Sequence, residues 1–269
     1  MNLRFLLIAS LSALSACQSV QTTQPGAVGV DRKQSMMVSS EDVNASAAKA
    51  YQQLIAGATQ KGQVNRDAAQ VARVRAVAQR LIRVTGTFRP DAPGWKWETN
   101  VISSKDVNAW VMPGGKIAVY TGLLERLQPT DDELAAVMGH EIAHALREHG
   151  RERVSQAQGQ GLVIGVLGAI AGVSRTGMDL TALMVDLTLN KPNSREHEVE
   201  ADRVGVELAA RAGYDPRGAV SLWEKMAKLG GGQPPEFLST HPSPSNRIAD
   251  LKAYSAKVMP LYQASSAKR

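Results

Sequence analysis

Aromatic residues make up only 4% of the 269-residue chain, with three phenylalanines among them, and there is a single cysteine. A core must therefore rely on Ala, Val, Leu and Met. Cys17 has no partner in the chain, so no disulfide braces the fold and no cysteine pair senses redox. Residues 5–14 and 159–173 are apolar, yet both runs fall short of the roughly 20 residues that a membrane-spanning helix needs. No basic run is interleaved with aromatics. The net charge of +6 is spread among acidic residues, which gives weak attraction to anionic surfaces and excludes a nucleic-acid footprint. What is present is ordinary for a globular protein: 43% hydrophobic and 21% charged residues, in a chain long enough to bury a core.

Residues 1–16 read as a secretory signal peptide, with Arg4, an apolar run and then small residues. They end at "LSAC", which resembles a bacterial lipobox with Cys17 lipidated as the new N-terminus. The alternative is a plain secretory signal and a soluble periplasmic product. Gln18 follows the cysteine where Asp would otherwise signal retention. By resemblance to enterobacterial sorting, this favours the periplasmic face of the bacterial outer membrane, where several acyl chains anchor stably. Residues 17–40, rich in Gln, Thr, Gly and Ser, read as a flexible tether. One domain is expected over 41–262, with a C-terminal tail over 263–269.

Helical spacing covers 41–58 and 66–84. Strands are expected over 95–102, 107–112 and 116–120, the last two flanking the Pro113-Gly114-Gly115 turn. A short helix over 123–127 precedes a longer one, capped by Thr130 or Asp131 and stopped by Gly150. Further helices are expected over 194–212, 216–229 and 247–258. Residues 159–173 read as a buried or partly mobile helix, with peripheral membrane contact or a substrate groove as the alternative.

Three of the five histidines fall in "VMGHEIAHALREH", residues 137–149. On a helix His140 and His144 lie about 40° apart, so both rings can reach one ion, and neutral imidazoles suit zinc. Glu141 sits off that face, where it can reach a water held on the ion. This is H-E-x-x-H, two ligands and a general base. The fillers Ile142, Ala143, Ala145 and Leu146 carry no charge, as a buried metal helix requires. The bland reading is a surface helix with two histidines. His149 falls about 180° from His140 and reads as a surface or capping residue.

A third ligand must come from elsewhere, and "SREHEVEADRVG", residues 194–205, offers three glutamates. Glu198 shares a helix face with Ala201, Asp202, Gly205 and Ala209, which are small or polar. Glu196 and Glu200 share theirs with Arg203, Glu207 and Arg211, which reads as solvated and salt-bridged. Glu198 is therefore the inferred ligand. Asp202, one turn later, can accept the free N–H of a metal-binding histidine. The alternative leaves both acids as structural helix residues.

With "GHEIAH", "SREHEVEAD", "HPSPSNR" and "NAWVMPGGKIAVYTGLL" all present, the sequence resembles the zinc metallopeptidases related to CAAX prenyl protease and the heat-shock protease HtpX. Among members it is most similar to periplasmic lipoprotein proteases. The resemblance implies an α+β fold, a mostly helical gluzincin-type zincin domain with a small sheet. It implies one zinc ion per chain on His140, His144 and Glu198, with Asp202 and Arg247 beside them. It also implies a role for His241, either stabilising the oxyanion or occupying the open zinc position at rest. A loop histidine capping the next helix is the alternative.

The expected activity is hydrolysis of peptide bonds in unfolded or misfolded envelope proteins, with Glu141 as general base. Substrate would add as a strand along Lys116, Ile117, Ala118 and Val119. Outer-membrane assembly components are candidate partners, and the membrane is met through the lipid anchor. Prenyl substrates are not expected, because the transmembrane helices of the prenyl proteases are lacking. A zinc-retaining lipoprotein chaperone or assembly factor is the competing reading, and retention of Glu141 argues against it.

Overall fold

The computed structural model describes residues 18–170, 179–229, 236–242 and 245–267. The signal peptide, Cys17 with its lipidation, and the end of the 159–173 run lie outside the described residues.

Strands β1 (Gln18–Val20) and β2 (Gln34–Met36) pair antiparallel in a short ribbon. Helices α1 (Ser40–Gln60) and α2 (Ala68–Arg83) follow, started by the side chains of Ser39 and Asp67, which accept first-turn backbone N–H groups. A three-stranded sheet comes next: β3 (Glu98–Ile102), β4 (Ala109–Met112) and β5 (Lys116–Tyr120). The turn at Pro113 to Gly115 joins β4 and β5 antiparallel, and Gly114 and Gly115 both adopt positive φ there. Strand β5 also pairs parallel with β3, so the spatial order is β3-β5-β4.

Both faces of this sheet are covered, and the period of two shows in the core. Val101, Ala109, Val111, Ile117 and Val119 join one apolar cluster, while Ile102, Trp110, Met112 and Ala118 join another. The first cluster is completed by α2 and by α4 (Asp131–Leu146), the second by α1 and α6 (Leu180–Leu189). Between them, α3 (Thr121–Leu127) leads into α4, and α5 (His149–Ile170) leads out of it. The remaining helices are α7 (Arg195–Arg211), α8 (Gly218–Lys228), α9 (Glu236–Thr240) and α10 (Arg247–Ser266).

Helix α4 begins with a reciprocal cap. Thr130 Oγ1 accepts from the Glu133 N–H at 3.2 Å, and Glu133 Oε2 accepts from the Thr130 N–H at 2.8 Å. Gly150 is not its stop. The break is at Glu148, which adopts φ 50 and is held by Arg89, Arg151 and Ser40. Gly150 lies inside α5 against Pro113.

The strongest helix contact is α4 on α7, and glycine permits it. A Cβ on Gly205 would stand 2.7 Å from the His140 backbone nitrogen, and one on Gly139 would stand 2.8 Å from the Gly205 carbonyl oxygen. The two backbones meet at the residue where the histidine motif starts.

Two expectations about the ends are corrected. The polar segment after Cys17 is docked along 22–38 rather than being a loose tether: Val28, Val30, Gln34 and Met36 are buried. Its polar residues find fixed partners in the domain, for example the Val28 N–H on Glu207 Oε2 at 2.9 Å. The last helix runs on to Ser266, so 263–266 continue α10 and are no tail. Among the described residues, no helix is long and apolar enough to cross a membrane.

Candidate metal centre

Helix α4 contributes His140, Glu141 and His144, α7 contributes Glu198 and Asp202, and His241 follows directly on α9. Arg247 is the first residue of α10. All seven are buried. The sequence places five of them within two local helical repeats, and the glycine crossing of α4 on α7 closes the distance.

One donor atom each from His140, His144, Glu198 and His241 lies within 4.8 Å of the others. His140 Nε2 stands 3.1 Å from His144 Nε2, 3.2 Å from His241 Nδ1 and 3.3 Å from Glu198 Oε2. Glu198 Oε1 lies 3.3 Å from His144 Nε2 and 3.0 Å from His241 Nδ1. Tetrahedral bonds of about 2.0–2.1 Å put ligand atoms roughly 3.3 Å apart. The donor set therefore fits a small cation. Three imidazole nitrogens and a carboxylate turned on one another, away from water, are matched to a positive charge between them.

Without a cation the residues share protons unequally. Burial would lower His140, yet Glu198 and Asp202 outweigh it and raise its pKa to about 9. Burial drives His144 well below its ordinary value, against the pull of Glu198. Glu198 is held well below the usual carboxylate range despite burial, because His241 and His140 face it.

Glu141 stands apart from the donor set. Burial raises its pKa, its Oε1 has no hydrogen-bond partner, and that oxygen is 3.4 Å from His241 Nε2. The Val111 backbone N–H faces the carboxylate and opposes that rise. A cleft of about 480 Å³, including its open mouth, reaches Glu141 and His144 between Val111, Pro113 and Leu187.

The residues behind the donors are also in place. Asp202 Oδ1 sits 2.9 Å from His140 Nδ1 and accepts from Arg247 at 2.6 Å. Arg247 also reaches Glu198 Oε2 at 3.3 Å, with its guanidinium 3.3 Å over the Trp223 ring. Phe237 stacks on His241, centroids 4.3 Å apart.

Three expectations fail here. His149 is buried, not a surface residue, with Nδ1 2.8 Å from His144 Nδ1 and Nε2 2.9 Å from Glu200 Oε2. The break at Glu148 resets the helical phase, so counting turns from His140 misplaces it. Glu200 and Glu207 are buried rather than solvated, because the N-terminal segment and Arg147 cover that face. Finally, Lys116, Ile117, Ala118 and Val119 cannot accept an added strand. Strand β5 is the middle strand, with β3 and β4 on its two sides, and Lys116 is turned to Glu98 at 2.6 Å.

The chain matches peptidase family M48 over residues 68–255. It is 42% identical over 154 residues to the mitochondrial metalloendopeptidase OMA1 of Arabidopsis thaliana, covering 57% of this chain and 30% of that protein. With the metalloprotease LoiP of Escherichia coli it shares 28% identity over 256 residues, 94% of this chain and 96% of the relative. With the beta-barrel assembly-enhancing protease of the same organism it shares 29% over 176 residues, 62% and 36% of the two. The chain spans 30% to 52% of the plant and yeast mitochondrial relatives it matches.

Proposed function

Because the chain belongs to peptidase family M48, we propose that it is a zinc-dependent endopeptidase of the bacterial cell envelope that cleaves unfolded polypeptides. The observation that carries this is the buried donor set of His140, His144 and Glu198 beside an unpartnered Glu141 oxygen. Nitrogen and carboxylate donors in a compact set favour zinc over calcium or magnesium, which take oxygen shells. One ion per chain fills it.

The ion, when bound, supplies Lewis acidity toward the attacking water and the scissile carbonyl. Glu141 takes the water's proton at Oε1 and returns it to the leaving amine. Burial raises its pKa toward the range where a base can do both. Asp202 accepts the Nδ1 proton of His140 and so points Nε2 into the donor set. Arg247 neutralises Asp202 and Glu198 together. His241, with Nδ1 among the donors and Nε2 toward Glu141, closes the set at rest. Turned out of the set, the ring would serve as a hydrogen-bond donor to the oxyanion.

Substrate is read as pairing along β4 instead of β5. The Tyr120 N–H donates to the Asn108 carbonyl, so Ala109 and Val111 turn their backbone groups to the outer edge. Val111 meets Glu141 there. Backbone pairing has little side-chain specificity, which suits extended, unfolded chains. The envelope location rests on the signal-like residues 1–16 and Cys17, and the match to LoiP over nearly the full chain supports it.

The test compares wild type with Glu141→Gln for zinc content and for cleavage of an unfolded protein. Both are expected to hold one zinc, and only wild type to cleave. Wild type that holds zinc yet cleaves no more than the variant points to the chaperone reading.

A further inference from the structure

The two histidines of the motif are supported differently. His140 leans on a carboxylate, Asp202. His144 leans on another histidine: its Nδ1 is 2.8 Å from His149 Nδ1. With His144 Nε2 turned into the donor set, the Nδ1 proton belongs to His144, and His149 Nδ1 accepts it. His149 Nε2–H then donates to Glu200 Oε2 at 2.9 Å. One arrangement of protons satisfies the whole chain from Glu200 to His144.

Glu200 is held from two directions. Arg147 gives Nε and an NH2 group to Oε2, each at 3.0 Å, and Arg32 gives Nε to Oε1 at 2.6 Å. Arg147 has no exposed side chain, and its other donors go to the N-terminal segment, to the Arg32 carbonyl at 2.9 Å and Thr23 Oγ1 at 3.1 Å. Arg32 also grips Glu152 at 2.7 and 2.9 Å. Glu152 accepts from Gln34 and lies 3.0 Å from Nε2 of His197, whose ring stacks on His149 with centroids 4.2 Å apart.

We propose that His149 is the positioning residue for His144, locked through Glu200 by Arg32, so that the N-terminal segment 22–38 is a working part of the metal centre. This rests on the metal reading above. His149 orients the ring of His144 as Asp202 orients that of His140, and undocking of the segment loosens one ligand without touching it.

The test uses the full chain. Zinc affinity is read by competition with a chromophoric chelator, and ligand geometry by the visible bands of the cobalt(II)-loaded protein. His149→Phe fills the space and accepts no proton. Its zinc affinity is expected to fall about 10- to 100-fold with altered cobalt bands. His149→Gln, whose carbonyl can accept from His144 and whose amide can donate to Glu200, is expected to restore most of both. Arg32→Met, at a residue that touches no ligand, is expected to weaken zinc binding in the same direction. A folded His149→Phe with wild-type affinity and bands overturns the positioning role. An unchanged Arg32→Met overturns the part given to the N-terminal segment, and it remains readable even where His149→Phe does not fold. Wild type that takes up neither ion overturns the metal reading, and this inference with it.

Discussion

Asp202 joins two buried groups at once, accepting from Arg247 and fixing the Nδ1 proton of His140. Removing it leaves a buried guanidinium with Glu198 as its remaining acidic partner and leaves His140 free to rotate. Asp202→Ala is therefore expected to lower zinc affinity about 10- to 100-fold, measured by chelator competition. Asp202→Asn, which can still accept from one of the two, should lose less. Glu198 and Glu200 show how much two residues on one helix can differ. Glu198 has no exposed side chain and faces three histidines, while Glu200 faces Arg147, Arg32 and His149.

Among the elements, the crossing of α4 on α7 decides whether the site exists. Gly205 cannot take a Cβ, because the atoms in its way belong to the His140 and Gly139 backbone and cannot rotate aside. Gly205→Ala is expected to cost about 1–3 kcal/mol in urea denaturation and to weaken zinc binding by parting Glu198 from the histidines. Gly57, inside α1 with nothing within 4 Å of an added Cβ, is the control. Gly57→Ala should stabilise by roughly 0.5–1 kcal/mol, since only chain entropy changes. The same helical repeat that makes His140, His144, Glu198 and Asp202 legible fails at His149. That repeat holds only while the helix continues, and Glu148 interrupts it.

Over the whole molecule, buried acids tie distant segments together. Glu133, Glu148 and Glu152 all titrate below the usual carboxylate range. In each, burial pushes upward and is outweighed, by Lys225 for Glu133, by Arg151 and Arg89 for Glu148, and by Arg32 and His197 for Glu152. A depressed folded-state pKa stabilises fully above the unfolded value, about 4.3, and that stabilisation is lost as pH falls through the folded value. The contribution of these three acids to the melting temperature should therefore be full from pH 7 to about 5 and fall below it, on top of the loss that buried, neutral His144 brings as pH drops below about 6.5. Scanning calorimetry of Glu148→Gln and Glu152→Gln should show a lower but flatter acid limb. A wild-type melting temperature that is level down to pH 3 would remove these three acids from the account.

The sequence by itself determined the motif helix, Glu198 and Asp202, and the sheet's hairpin, because these depend on contacts within a few residues of one another. The period of 3.6 and the Pro-Gly-Gly turn are local facts. Only the tertiary structure decided the rest. It put β5 in the middle of the sheet, since its parallel pairing with β3 crosses the hairpin and leaves no trace in local pattern. It buried a polar N-terminal segment, since its partners Arg147, Glu152 and Glu200 lie more than a hundred residues away. It turned His149 inward behind His144, where a single left-handed residue sends it.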